Sequence, residues 1–99
     1  MKLVWSPLAL RRVEEIADYI AGDSVTAASH WIERTFRKAG QLRDNPEMGR
    51  VVPELNRPEI RELIHGNYRI VYAYTPRHVS ILTVRHFKQI LPIDEDGLV

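Results

Sequence analysis

Between Asn56 and Ile90 the cations Arg57, Arg61, Arg69, Arg77, Arg85 and Lys88 stand against two carboxylates, Glu59 and Glu62, with His65, His78 and His86 added. Guanidinium groups hold carboxylates and phosphates through paired N–H donors, and imidazole exchanges a proton near neutral pH. Such a stretch suits a polyanion or an acidic partner. The net charge of +1 conceals it, because the segment up to Leu55 is balanced and the tail adds Asp94, Glu95 and Asp96. Other chemistries lack their residues. There is no Cys, so no thiolate nucleophile and no thiolate metal site. His30, His65, His78 and His86 show no metal-ligand spacing, and no metal or other cofactor is expected. Gly49, Gly66 and Gly97 form no phosphate-cradling loop, and no Ser/His/Asp arrangement is legible.

The elements that must position these groups belong to one small domain. The 99 residues allow a single core, spanning 1–99 with an acidic tail at 91–99. Hydrophobic residues at 44% and charged residues at 27% match an ordinary globular chain. The absence of Cys points to a reducing compartment, and the cytoplasm is the expected location. The apolar start is interrupted by Pro7 and ended by Arg11-Arg12, which does not read as a secretion signal. No apolar run approaches the roughly 20 residues of a membrane span.

Lys2-Leu3-Val4-Trp5 reads as a short strand, closed by Ser6 as a helix cap and Pro7 at the first helical position. Ala9, Val13, Ile16, Ala17 and Ile20 then recur at helical spacing up to Gly22. Asp23-Ser24 caps a second helix whose apolar stripe holds Ala28, Trp31, Ile32, Thr35, Phe36, Ala39 and Leu42, and Asn45-Pro46 ends it. Residues 46–58 carry three prolines and no period, which reads as a loop bearing Arg50, Glu54 and Arg57. Three strands follow at 60–65, 68–74 and 79–87, with turns at Gly66-Asn67 and Thr75-Pro76-Arg77. The expected fold is α+β, with order β-α-α-β-β-β and a helical hairpin on one face of a small, mostly antiparallel sheet.

A two-residue loop at Gly66-Asn67 sets His65 opposite Tyr68, Glu62 opposite Val71 and Arg61 opposite Tyr72. One face then collects Leu63, Tyr68, Ile70, Tyr72 and Tyr74, with Arg61 and His65 at its ends. We assign this face to the helices, where Arg61 is expected to pair with an acidic residue of the first helix. The other face has Ile60, Ile64, Val71 and Ala73 around Glu62 and Arg69. Two helices cover one face of a sheet, so the second is expected to stay partly open as a docking surface. A homodimer or the tail is the alternative cover.

The strings Trp5-Ser6-Pro7-Leu8-Ala9, Gly49-Arg50-Val51-Val52-Pro53-Glu54, Ile60-Arg61-Glu62-Leu63 and Tyr68-Arg69-Ile70-Val71-Tyr72 occur in this order with the matching element between each pair. Together with the final strand Ile81-Leu82-Thr83-Val84-Arg85-His86, the chain resembles the RelE/ParE superfamily of small bacterial toxins from Lys2 to about Pro92. The resemblance implies a type II toxin silenced by a cognate antitoxin with a flexible, often acidic segment, and a hetero-oligomer of the two. It offers two activities. RelE-like members cut messenger RNA on the ribosome, whereas ParE-like members bind and poison DNA gyrase without a known catalytic site.

RNA cleavage by 2′-hydroxyl attack needs a base, an acid and positive charge at the phosphate. Arg69 matches the phosphate-holding arginine of the RNA-cutting branch, but the two lysines of that branch fall on Ile60 and Glu62, and Arg85-His86-Phe87 has no tyrosine after it. Glu62, Arg69 and His86 keep an alternative RNA-cutting set open, with the face of His86 dependent on the register of the last strand. The ParE-like branch is the closer match. On that reading Arg50, Arg69, Arg85 and His86 are the candidate target-binding residues, and Ile60, Ile64, Arg69 and Val71 the candidate antitoxin-binding residues. Arg69 is also a candidate cross-strand partner of Glu62, and Arg50 and Glu54 are candidates to anchor their loop.

Overall fold

The computed structural model describes residues 1–89. Strand β1 (Lys2–Trp5) leads into helix α1 (Pro7–Ala21), and helix α2 (Val25–Gly40) runs on into one 3-10 turn at Gln41–Arg43. Strands β2 (Arg50–Val51), β3 (Ile60–His65), β4 (Tyr68–Tyr74) and β5 (His78–His86) follow. They form one sheet of order β1-β5-β4-β3-β2, in which β1 runs parallel to β5 and the other pairs are antiparallel. The expected α+β order holds, with the two-residue β2 as an addition inside the expected loop.

Local chemistry starts both helices where the sequence places them. Ser6 accepts a hydrogen bond from the Ala9 amide at 3.0 Å and donates its hydroxyl to the Leu82 carbonyl at 3.0 Å, so the α1 cap is also tied to β5. Ser24 caps α2 by accepting from the Ala27 amide at 3.1 Å. The tight hairpin between β3 and β4 uses Gly66 at φ 59°, and its register pairs His65 with Tyr68 and Glu62 with Val71, as read from the sequence.

Two apolar clusters flank the sheet. The larger lies under the helices and joins Ala9, Val13, Ala17, Trp31 and Leu42 to Leu63, Ile70, Tyr72, Val79, Ile81 and Val84. The smaller holds Val52, Ile60 and Val71, with Leu55, Ala73 and Leu82 packed against it. This second cluster narrows the face expected to stay partly open, of which Ile64, at 42% exposure, still reaches solvent. Val52 and Val71 are 0% exposed and Ile60 is 5% exposed, because the segment after β2 folds back across the sheet. The cover over these residues is the chain's own loop, and the tail lies outside the described residues.

The register of β5 contains a bulge. Val71 pairs with Thr83 while Tyr72 pairs with Ile81, so Leu82 is the extra residue. The bulge lets Ile81 and Val84 both face the helices while Leu82 joins the second cluster.

Candidate functional site

Four charged side chains form a line through the second face. The Arg50 Nε donates to Glu62 Oε2 at 2.7 Å, and an Arg69 guanidinium N–H donates to Glu62 Oε1 at 2.9 Å. The same guanidinium reaches Glu54 through two bonds of 3.1 and 2.5 Å, and also donates to the Gln89 carbonyl. Glu62 is 1% exposed and Arg69 4%. Pairing with Glu54 raises the Arg69 pKa, against the opposing effect of burial, so the guanidinium stays charged.

Two cations and two carboxylates neutralise one another, and the pairing has a mechanical result. Glu54 sits in the loop that carries Val52 and Leu55, so Arg69 clamps that loop onto the apolar strand residues beneath it. On the opposite face the Tyr72 hydroxyl donates to the Pro46 carbonyl at 2.7 Å and accepts from the Gly49 amide at 3.0 Å. Gly49 has no room for a side chain, since a Cβ there would lie 2.7 Å from both the Glu62 carbonyl oxygen and the Tyr72 hydroxyl. Burial raises the Tyr72 pKa, which keeps the phenol a donor.

The expected loop anchors, Arg50 and Glu54, thus hold strand residues rather than each other. Arg69 is the expected partner of Glu62. Arg61 departs from expectation: it donates to the Pro58 and Gly49 carbonyls at 3.1 and 3.0 Å and lies over the Tyr74 ring, with no carboxylate of α1 in its hydrogen-bond set.

The candidate RNA-cutting set does not assemble. His86 pairs with Tyr68 and meets its ring edge-on at 5.7 Å on the helix side, while Glu62 and Arg69 lie on the other side of the sheet. The bulge at Leu82 sets this outcome, because one extra residue inverts the alternation of everything beyond it. Of the four expected antitoxin contacts, Ile60, Arg69 and Val71 are buried within the chain, and Ile64 alone reaches solvent at 42%. Arg50 is largely exposed, with its guanidinium tied to Glu62. Arg85, opposite Arg69 in the register, and His86 line a groove of about 590 Å³ with Arg12, Glu15, Ile16 and Tyr19 of α1.

Residue patterning did not reveal the role of Tyr72 or the covering role of Val52 and Leu55. A signal was present: apolar residues inside a loop that carries Pro and Gly, next to strands apolar on both faces. No described helix is long and apolar enough to cross a membrane. Among the described residues no cluster of His, Asp or Glu fits a metal ion.

The family described as "ParE toxin of type II toxin-antitoxin system, parDE" matches residues 3–91. A relative from Sinorhizobium fredii (strain NBRC 101917 / NGR234), named "Putative toxin Y4kP", is 34% identical over 92 residues, covering 92% of this chain and 93% of the relative. Among solved structures, "Chromosomal ParDE TA system from P. aeruginosa" superposes with a TM-score of 0.72 at 18% identity, covering 87% of this chain and 95% of the other, a likeness of fold.

Proposed function

The chain belongs to the ParE toxin family of type II toxin-antitoxin systems, and from that premise we propose that it arrests growth by binding DNA gyrase and is neutralised by a cognate antitoxin. The observation that carries this reading is the internal neutralisation of Arg69. A phosphate-holding arginine must present its N–H groups to the substrate, and here those of both terminal nitrogens are committed to Glu54, Glu62 and the Gln89 carbonyl, while the Nε–H is buried with no partner among the described residues. Glu62 is sealed between two arginines, and His86 stands across the sheet from both. The arrangement supports a binding mode of action over general acid–base cleavage on the ribosome.

The target-binding role then belongs to groups that reach the surface. Arg85 and His86 line the groove beside α1, and the exposed Tyr19 ring at its margin supplies an aromatic anchor of the kind that dominates protein interfaces. Arg50 contributes charge at the sheet edge, and Arg69 is the scaffold that holds the loop. For the antitoxin, Ile64 at the outer edge of β3 is the retained contact. Its carbonyl accepts from Lys38 Nζ at 2.6 Å, which ties this edge to α2.

A gyrase supercoiling assay beside primer extension on translating messages tests the proposal. Inhibited supercoiling with uncut messages is the expected result. Untouched supercoiling at saturating protein, or discrete cuts in the messages, would overturn it.

A further inference from the structure

Among the described residues the sheet ends at two unlike edges. One is β2, two residues long, whose Arg50 is largely exposed and tied to Glu62. A short, charged edge resists pairing with another chain. The other is β1, where Leu3, Val4 and Trp5 make an apolar run on a strand that pairs only with β5 among the described residues. Its one charged residue is Lys2, at the start of the strand.

Half of the β1 backbone is used within the sheet. The Lys2 amide donates to the Arg77 carbonyl at 3.3 Å and the Ser6 amide to the Ile81 carbonyl at 3.0 Å, so the even-numbered residues face β5. Strand groups alternate in direction, which turns the amides and carbonyls of Leu3 and Trp5 to the open side. Side chains alternate as well. Leu3 and Trp5 pack towards the helices, where the Trp5 ring meets the partly exposed Phe36 at 4.5 Å, while Val4 stands on the other face and is 40% exposed.

From this edge we propose that two copies of the chain pair β1 to β1, antiparallel across a two-fold axis at Val4, and join their five-stranded sheets into one. A second copy is the fitting occupant because the edge is complementary to itself. The register that sets Leu3 opposite Trp5 of the second copy uses every outward amide and carbonyl of both strands. It places Val4 against its twin on one face and Leu3 against Trp5, beside Phe36, on the other, so the seam is apolar on both sides. It also holds the two Lys2 residues about 13 Å apart along the strands, where salt screens their repulsion. Sliding the pair to face Leu3 on Leu3 halves that separation and leaves Trp5 opposite Met1, outside the strand. With the axis normal to the sheet, both helical layers lie on one side of the joined sheet. The pairing does not depend on whether gyrase is the cellular target. Four residues a side make a seam smaller than the roughly 1,000 Å² of a permanent interface, so the dimer is reversible, with a dissociation constant of about 0.1 mM.

The chain has no cysteine, so one introduced thiol reports the seam. Val4→Cys puts two thiols on the axis at a non-hydrogen-bonded pair, where Cα atoms lie about 4.5 Å apart, a spacing that a disulfide spans. Val25→Cys, at a 72% exposed position at the start of α2, controls for random collision. In a glutathione redox buffer the full-length Val4→Cys chain is expected to form a disulfide dimer at least about tenfold faster than Val25→Cys. Sedimentation equilibrium of the parent chain is expected to show mostly monomer at about 0.01 mM and mostly dimer near about 1 mM. Val4→Lys sets like charges face to face on the axis and should weaken association at least about tenfold with unchanged circular dichroism. A parent chain that is monomeric near about 1 mM, cross-linking of Val4→Cys no faster than Val25→Cys, or dimerisation unaffected by Val4→Lys would overturn the proposal. So would a monomeric parent in which the antitoxin complex alone shields the Val4→Cys thiol from iodoacetamide, a result that assigns this edge to the antitoxin.

Discussion

Arg69 is the residue on which the two functional readings diverge, and its surroundings give it a structural role with a measurable cost. Removing one member of a buried, hydrogen-bonded ion pair leaves the other charge uncompensated, a loss of about 3–5 kcal/mol. Arg69→Ala strands Glu62, which is then held by Arg50 alone. Urea unfolding should show the unfolding free energy falling by that amount, and a loss below about 1 kcal/mol would contradict the buried network. Gly49→Ala places a methyl group 2.7 Å from the Glu62 carbonyl oxygen, so overpacking by about 1–3 kcal/mol is expected in the same measurement. His65 makes a pH-dependent contribution of definite sign. Burial first, then Lys38 and Arg34, holds its folded pKa below the ordinary value near 6.5, so the unfolded chain takes up the proton first as pH falls. Stability should therefore drop as pH falls through the ordinary histidine value near 6.5 and below it, and His65→Gln should shallow that drop. An identical slope in the variant would show that the imidazole is not perturbed.

At the scale of elements, the loop after β2 has more influence than its lack of periodicity suggests. Val52 fills the space over Ile60 and Val71, and fully burying an aliphatic side chain of this size contributes about 1.5–3 kcal/mol. Val52→Ala should thin that cover and expose the loop to proteases, and limited proteolysis reading unchanged cleavage near residues 52–57 would count against it. The hairpin was readable before any coordinates because a two-residue turn fixes its register, and alternation then assigns each strand residue to a face. The helices were readable from Ser6, Pro7 and Ser24 with the apolar period behind them. The β5 bulge was not. Leu82 is extra because of contacts made far along the chain, including the Ser6 hydroxyl on the Leu82 carbonyl, and no local pattern in Ile81-Leu82-Thr83-Val84 announces it. The missed loop cover has a similar origin, since Val52 and Leu55 gain their meaning from strands that follow them.

For the molecule as a whole, the consequence is a sheet covered by the helices on one face and, around Ile60, Val71 and Arg69, by the clamped loop on the other, with Ile64 left exposed beyond that cover. The remaining surfaces are a groove beside α1 with Arg85 and His86, the β1 edge with Val4, and the Ile64 edge. A small binding protein needs such surfaces, whereas an acid–base catalyst needs its charged groups brought together and presented. The distinction is testable by replacing the buried pair with uncharged residues of similar size, a change that often leaves a fold intact. The most direct measurement is gyrase supercoiling in the presence of the Glu62→Gln, Arg69→Met double variant, at concentrations corrected for the folded fraction. Inhibition within about threefold of the parent chain, a difference of less than about 1 kcal/mol, is the predicted result. Loss of inhibition with the fold intact would contradict a scaffold role for Arg69.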